Sequence, residues 1–146
     1  MNTDPSKRHS ELSIMDSLVQ LSFLIQAVLG RVGAEHELSI IQIRLLGIVR
    51  DREPNMMQLA QYLGLDKSSI TGLVDRAERR GLVERTPSPT DRRGFHVKAT
   101  SAGKQMIHVV ADQIERQIHA VTAGMTETER LQFAALATKV LNTVVN

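Results

Sequence analysis

The stretch that decides the fold runs from residue 59 to residue 76 and reads LAQYLGLDKSSITGLVDR. Apolar residues recur at helical spacing on both sides of Gly64, and glycine suits the left-handed position that ends many helices. Asp66 follows two residues later, where its carboxylate can cap the N-terminus of a second helix. The pattern therefore predicts two short helices around a tight turn, a helix-turn-helix over residues 55–80.

The second of these helices, predicted over residues 67–80, has two distinct faces. The apolar face is expected to be buried and consists of Ile70, Leu73, Val74 and Ala77. The polar face is expected to point away and consists of Lys67, Ser68, Ser69, Thr71, Asp75 and Arg76. A helix with one packed face and one free face that carries hydroxyls and cations suits the DNA major groove. An ordinary amphipathic helix of a helical bundle would show the same periodicity, so this segment alone leaves both interpretations open.

A β-hairpin is predicted directly after this helix. Residues 82–85 and 95–99 have the composition of short strands, and the second alternates between apolar and polar side chains. The connection between them contains two prolines and the basic pair Arg92 and Arg93. A stiffened basic hairpin in this place is typical of the wing of a winged helix, whose arginines suit the narrow minor groove. The alternative is a surface loop in which Asp91 neutralises one of the two arginines.

Both elements together predict a protein that binds double-stranded DNA. The expected contacts are Lys67, Ser68, Ser69, Thr71, Arg76, Arg92 and Arg93. A winged helix can also act as a protein-interaction module, and that function would favour an acidic or apolar exposed face. The hydroxyls and cations on the polar face predict DNA binding instead.

Long helices are predicted on both sides of this region. Residues 11–32 and 101–122 carry apolar residues at spacings of three and four. Ser39 and Gln42 form the sequence pattern of a capping box, which predicts another helix start. Thr126 and Glu129 repeat that pattern at the start of a last helix through Val145.

The predicted fold is mainly α with a small β-hairpin wing, in one domain over residues 1–146. A winged helix-turn-helix lobe is expected over residues 39–100, with its wing at 82–99. Residues 11–32 and 101–145 carry more apolar surface than this small lobe can cover. Exposed apolar patches of that kind mark interfaces, so these helices are expected to form a homodimer.

Composition narrows the function further. The 146-residue chain has a net charge of +2, and residues 56–100 hold eight basic and five acidic side chains. Four aromatic residues and no Trp argue against a stacking platform for single-stranded nucleic acid. The chain has no Cys, which excludes disulfides and thiolate chemistry. No signal-peptide pattern was found and no apolar run approaches a membrane span, so no membrane association and a cytoplasmic location are expected.

Neither enzyme chemistry nor a cofactor is predicted. The sequence has no Gly-rich phosphate loop, and none of its serines has a recognisable histidine partner. His108 and Asp112 lie four residues apart on one helix face, as metal ligands could, and Glu35, His36 and Glu37 could approach them. No His pair at ligand spacing supports them, so solvated polar positions are the favoured interpretation and no metal is expected.

The chain resembles the multiple-antibiotic-resistance regulator (MarR) family. The similarity rests on the helix-turn-helix at residues 59–76, on RRGLVER at residues 79–85, and on Asp91-Arg92-Arg93 followed by Thr100, Ala102 and Gly103. It covers nearly the whole chain, because the flanking helices match the family's layout too. Two positions depart from the family pattern: Gly72 stands where many members carry Arg, and Ala99 stands where Leu is usual.

The resemblance implies a dimeric transcriptional regulator, most often a repressor that a small ligand releases from DNA. A two-fold dimer is expected to bind a pseudo-palindromic operator. It implies that Ser68, Ser69, Thr71 and Arg76 face the major groove and that Arg92 serves the minor groove. Gly72 then removes one expected DNA contact, and Ala99 loosens the packing at the base of the wing.

An effector is expected between the N-terminal helices and the DNA-binding lobe, because a ligand wedged there would change the distance between the two recognition helices. Residues 15–50 are expected to line the pocket, with Arg31, His36 and Arg44 as its polar groups. These side chains suit a small aromatic or anionic compound. A well-packed junction without a natural ligand is the alternative.

Overall fold

The computed structural model describes residues 12–144 and confirms a mainly helical fold with a two-stranded antiparallel hairpin. Residues 1–11, 145 and 146 lie outside the described part, including Glu11 and Val145 of the predicted flanking helices. In chain order the elements are α1 (Ile14–Glu35), α2 (Ile40–Val49), α3 (Met56–Leu63), α4 (Lys67–Arg79), β1 (Val83–Pro87), β2 (Phe95–Ala99), α5 (Ser101–Val121) and α6 (Glu127–Val144).

The helix boundaries follow from the predicted caps. Ser39 accepts a hydrogen bond from the Gln42 backbone N–H at 3.2 Å, while the Gln42 side chain accepts from the Ser39 N–H at 2.7 Å. Gly64 ends α3 with φ of 64°, in the left-handed region that glycine adopts without strain. Thr126 and Glu129 form the second predicted capping box at the start of α6. Local contacts between side chains and backbone therefore account for these boundaries.

The hydrophobic core lies inside the lobe formed by α2, α3, α4 and the hairpin, closed on one side by α1 and α5. Its largest fully buried side chains are Val28, Val32, Leu45, Leu59, Ile70, Leu73, Val74, Val83 and Val97. In α2 the buried residues are Leu45, Leu46 and Val49, whereas Ile43 and Ile48 are only half-buried. Ala99 is 6% exposed and belongs to the same cluster, so the departure from Leu lies inside the core.

The hairpin is longer on its first strand than the sequence predicted. β1 extends through Thr86 and Pro87, and Pro87 pairs with Phe95 at the open end. A two-stranded sheet has only edge strands, so a proline at a strand end removes no essential hydrogen bond. The connecting loop is thereby reduced to residues 88–94.

The second strand is also attached to the loop between α2 and α3. The Val97 N–H donates to the Pro54 carbonyl at 2.9 Å, and Nδ1 of His96 lies 2.7 Å from the Glu53 carbonyl oxygen. His96 is half-buried against this loop, a tertiary contact that strand alternation cannot reveal.

Helix α1 corrects the expectation that no segment approaches a membrane span. It has 22 residues, and its most apolar 18-residue window has a mean hydropathy of 1.4 with 17% of the window buried. By length and composition alone it could cross a bilayer. Only Asp16, Arg31 and Glu35 are charged in this helix.

Gly103 explains how α5 packs so closely against the hairpin. The Thr100 hydroxyl donates to the Gly81 carbonyl at 2.5 Å and accepts from the Gly103 N–H at 3.0 Å. This places Gly103 directly against the backbone carbonyl of Leu82, where a Cβ would overlap the oxygen. Glycine at 103 is therefore a packing requirement.

We predict that Gly103→Ala lowers the free energy of unfolding by about 3 kcal/mol, since backbone atoms must move to admit the methyl group. Gly47→Ala is the matched control, because a Cβ at that helical position has no heavy atom within 4 Å. This control should raise stability by about 1 kcal/mol through helix propensity. Urea unfolding followed by circular dichroism measures both, and equal effects of the two substitutions would contradict the packing requirement.

Candidate nucleic-acid interface

Helix α4 presents the two faces that its sequence predicted. Ile70, Leu73, Val74 and Ala77 are at most 3% exposed and pack into the core. The opposite face is open to solvent and carries Lys67, Ser68, Ser69, Thr71 and Arg76. The predicted groups of this helix therefore lie together on one accessible surface, apart from Asp75.

The start of α4 is built around the Asp66 carboxylate. Oδ1 of Asp66 accepts the Ser69 backbone N–H at 2.7 Å and the Ser68 hydroxyl at 3.0 Å. The backbone hydrogen bond from Ser69, helped by the two serine side chains, lowers the pKa of Asp66 below its ordinary value. The carboxylate thus stays charged at neutral pH and neutralises part of the positive potential at the helix N-terminus.

Thr71 uses its hydroxyl hydrogen within the helix. Its Oγ1 donates to the Lys67 carbonyl at 2.8 Å, one turn earlier. The hydroxyl oxygen remains an acceptor, and the methyl group can contact an apolar surface such as a thymine methyl. Thr71 can therefore offer acceptor and apolar contacts on this face.

The sequence predicted that the Asp75 side chain points freely into solvent, but in the structure it forms an ion pair. Its carboxylate lies 2.6 Å from the Arg85 guanidinium on β1, and Glu78 binds the same guanidinium at 2.8 Å. Glu78 also accepts the Arg85 backbone N–H at 3.2 Å. Burial alone would lower the pKa of Arg85, but the hydrogen bond to Asp75 and the two negative charges raise it. The helical period gives the direction of Asp75, but the tertiary fold supplies the arginine that it meets.

The wing tip carries free positive charge. Arg92 and Arg93 are exposed, and neither forms an ion pair with any residue between 12 and 144. Asp91 accepts the Arg93 backbone N–H at 3.0 Å and so shapes the turn. In this structure the acidic residue neutralises neither guanidinium through an ion pair, unlike in the surface-loop alternative.

A groove of about 660 Å³ separates the wing from α3 and α4. Its lining includes the apolar side chains of Met56, Ile70 and Phe95 and the cations of Lys67 and Arg93. The groove thus joins the cation at the start of α4 to the wing across one continuous surface.

Arg80, at the C-terminal end of α4, makes contacts that sequence reasoning missed. Its guanidinium donates to the Glu37 carbonyl at 2.8 Å and to the His36 carbonyl at 2.9 Å. Glu37 has φ of 55°, so its turn adopts a conformation that non-glycine residues seldom use. A run of arginines gives no signal of such a long-range partner. The contact ties α4 to the turn that joins α1 and α2.

The three residues expected around an effector lie in two environments. Arg31 donates to Gln117 at 3.1 Å, and Nε2 of His36 lies 2.8 Å from the Gln113 side-chain oxygen, both on α5. Arg44 donates instead to the Tyr62 carbonyl at 3.4 Å, at the end of α3. Arg31 and His36 thus share one seam, and Arg44 lies apart from it.

The acidic and histidine residues considered as metal ligands are not assembled into a site. Asp112 is bound by Arg116 at 2.6 Å in an exposed ion pair. Across the described range, no group of three His, Cys, Asp or Glu side chains is placed to hold a metal ion.

Comparisons with known proteins agree with this geometry. A model described as the MarR family matches residues 36–94, which include α2, the helix-turn-helix, β1 and the wing loop, and end just before β2. The transcriptional regulator PecS of Dickeya dadantii is 25% identical to this chain, over 99% of the chain and 90% of PecS.

Solved structures extend the similarity to the whole fold. The apo crystal structure of MarR from E. coli superposes with a TM-score of 0.78 at 22% identity, covering 90% of this chain and 98% of MarR. NadR in complex with 4-hydroxyphenylacetate superposes with a TM-score of 0.75 at 19% identity, covering 96% of this chain and 97% of NadR. The fold and the matched sequence define a winged-helix transcriptional regulator rather than an enzyme. In sequence and in fold the chain is similar to the MarR family of transcriptional regulators.

Proposed function

We propose that this regulator binds double-stranded DNA sequence-specifically as a homodimer and acts as a repressor. The observation that carries the proposal is the continuous surface of hydroxyls and unpaired cations on α4 and the wing. Ser68, Ser69, Thr71 and Arg76 would meet the major groove, and Arg92 would enter the flanking minor groove. Lys67 and Arg93 would contact the backbone phosphates between them.

The homodimer would be formed by the flanking helices, residues 11–32 and 101–145, leaving residues 39–100 as the DNA-binding lobe. In the single chain these helices expose large apolar side chains: Ile14 is 74% exposed, Phe23 64% and Leu131 67%. No described residue of α6 is buried. So much apolar surface on three helices needs a partner, and a second copy of the chain supplies the same surface. This burial would also account for the hydropathy of α1 without a membrane, in a cytoplasmic protein.

A two-fold dimer presents two copies of α4 related by symmetry. The matching operator is a pseudo-palindrome, with half-sites about 10 base pairs apart, because the recognition helices must enter successive major grooves on one face of DNA. Phosphate contacts from the wing and Lys67 would set affinity, and contacts from α4 to base edges would set specificity.

We further propose a small aromatic or anionic effector that weakens operator binding. A groove of about 170 Å³ lies between α2 and α5, with Ile43, Leu46, Gly47 and Ile114 among its apolar walls and Arg50 at its rim. It lies between the DNA-binding lobe and α5, one of the proposed dimerisation helices, and Arg31, His36 and Arg44 are not among the residues that line it. NadR, a structural neighbour, was crystallised with the phenolic acid 4-hydroxyphenylacetate, which fits this chemical class.

The dimer is tested by sedimentation. We expect the chain to sediment as a dimer at micromolar concentration, with a buried interface of more than about 2,000 Å². Phe23→Glu should weaken association because it places a charge in the interface. Met57→Glu is the matched control, since Met57 is 68% exposed but lies on α3 beside the wing. A folded monomer at this concentration would contradict the proposed dimer.

DNA binding is tested with duplexes selected by the wild-type protein from a random pool. Arg92→Ala should weaken binding to nearly all sequences. It should also reduce the slope of log affinity against log salt concentration by about one, because one cation that lies among the phosphates of the minor groove is lost. Arg116→Ala, which removes an exposed arginine from α5, should leave both unchanged. If Arg92→Ala binds as tightly as wild type at every salt concentration, the wing does not contact DNA. A failure to bind any duplex would favour a protein-interaction module.

The effector is tested by titrating the operator complex with 4-hydroxyphenylacetate and related phenolic acids. A responsive compound should lower operator affinity by roughly 5- to 150-fold, the usual range of allosteric coupling. Gly47→Leu should abolish the response by filling the α2–α5 groove, while operator affinity without ligand stays near wild type. If zinc instead releases the protein from its operator, and His108→Ala abolishes that release, the effector is not an organic compound. No response to a broad panel would indicate a constitutive DNA binder.

A further inference from the structure

Arg76 lies directly over Gly72 on the exposed face of α4. A Cβ at position 72 would stand 3.2 Å from the Arg76 guanidinium nitrogen Nη1. Apart from the adjoining residues and the local helix backbone, no other heavy atom would lie within 4 Å of it. Arg76 forms no ion pair with any residue of the described chain. The guanidinium therefore lies over the bare backbone at position 72 without an ion pair to hold it elsewhere in the described chain.

This placement has a simple geometric origin. Side chains on an α-helix lean toward its N-terminus, and residues four apart lie above one another on the same face. Arg76 therefore extends back over position 72. With glycine there, the guanidinium can lie against the backbone, whereas a larger side chain would lift it away from the helix.

The guanidinium consequently reaches the N-terminal half of the helix. A depression of about 290 Å³ is lined by Ser68, Ser69, Gly72 and Arg76 together with apolar residues of α2 and α4. The hydroxyls of the first turn and the cation of the third turn thus face the same space. In helix-turn-helix proteins the N-terminal residues of this helix lie nearest the base edges.

Backbone conformation does not account for glycine at position 72. Gly64 and Gly81 have positive φ angles, but Gly72 has an ordinary helical one. A glycine inside a helix costs about 1 kcal/mol relative to alanine, so Gly72 lowers the stability of α4. The one contact that a side chain would disturb is the contact with Arg76.

We propose that Gly72 is a specificity-determining position: its missing side chain lets Arg76 lie along the N-terminal half of α4 and so selects the base pair that Arg76 reads. The inference rests on the proposed DNA-binding function. An arginine placed in this way would bind guanine O6 and N7 through two hydrogen bonds. Gly72 itself makes no contact with the base, so it is a positioning residue that acts through Arg76.

The test compares the base preferences of the 146-residue chain and its variants. Affinity is measured for the duplex that wild type binds most tightly and for every single-base variant of that duplex. Gly72→Leu should reduce discrimination about tenfold at the base pairs that Arg76→Ala also relaxes, within the range of one lost bidentate contact. Gly72→Ala should give a smaller loss, about twofold, because a methyl group shifts the guanidinium by only a few tenths of an ångström. Adding Gly72→Leu to Arg76→Ala should cause no further change.

Thermal melting separates this role from a folding defect. Gly72→Ala and Gly72→Leu should melt at or above the wild-type temperature because both restore helix propensity. An unchanged profile in Gly72→Leu, relaxation at base pairs other than those of Arg76→Ala, or independent effects in the double variant would overturn the inference while leaving DNA binding intact. Absence of duplex binding by wild type would instead overturn the proposed function, and this inference with it.

Discussion

The structure depends on the burial of one stripe of α4. Ile70, Leu73, Val74 and Ala77 meet the core residues of α2, α3 and the hairpin, and this burial fixes the rotation of the helix about its axis. Because apolar burial is the dominant favourable term in folding, the polar stripe has no alternative but to face solvent. The same hydrophobic constraint that folds the lobe therefore creates its candidate DNA-binding surface.

Polar contacts then fix how the hairpin and the turn between α1 and α2 are attached to α4. Arg85 joins β1 to α4 through Asp75 and Glu78, which sets the angle of the hairpin relative to the helix. Arg80 joins the other end of α4 to the turn after α1 through two carbonyl oxygens. Both arginines belong to the basic middle third of the sequence, yet both are used for structure. The excess charge available for DNA consequently comes from the remaining cations on α4 and the wing tip.

Unlike the elements of the lobe, the flanking helices leave many large apolar side chains exposed. α1 closes the core with Val28 and Val32 near its C-terminal end, but its N-terminal half leaves Ile14, Met15 and Phe23 exposed. α6 buries none of its described residues within the chain. Attachment to the lobe thus uses the C-terminal end of α1, whereas the apolar surface proposed for dimerisation lies on the N-terminal half of α1 and on α6. Because Arg80 binds the turn after α1, and His36 joins that end of α1 to α5, a movement of the proposed dimerisation helices would be transmitted to α4.

The sequence by itself determined the class of fold, the polar face of α4, and the helix ends marked by Ser39, Gly64, Asp66 and Thr126, whereas α1 runs over Ile14–Glu35 instead of the predicted 11–32. These features are local: capping pairs, a left-handed glycine and helical periodicity depend on residues within one or two turns. Only the tertiary structure decided that Asp75 is held by Arg85, that His96 packs against the α2–α3 loop, and that Arg80 reaches across to the turn after α1. It also placed Arg44 apart from Arg31 and His36, although the three lie within fourteen positions of one another in the sequence. Long polar side chains can reach several partners, and sequence does not say which partner the packed core brings within 3 Å.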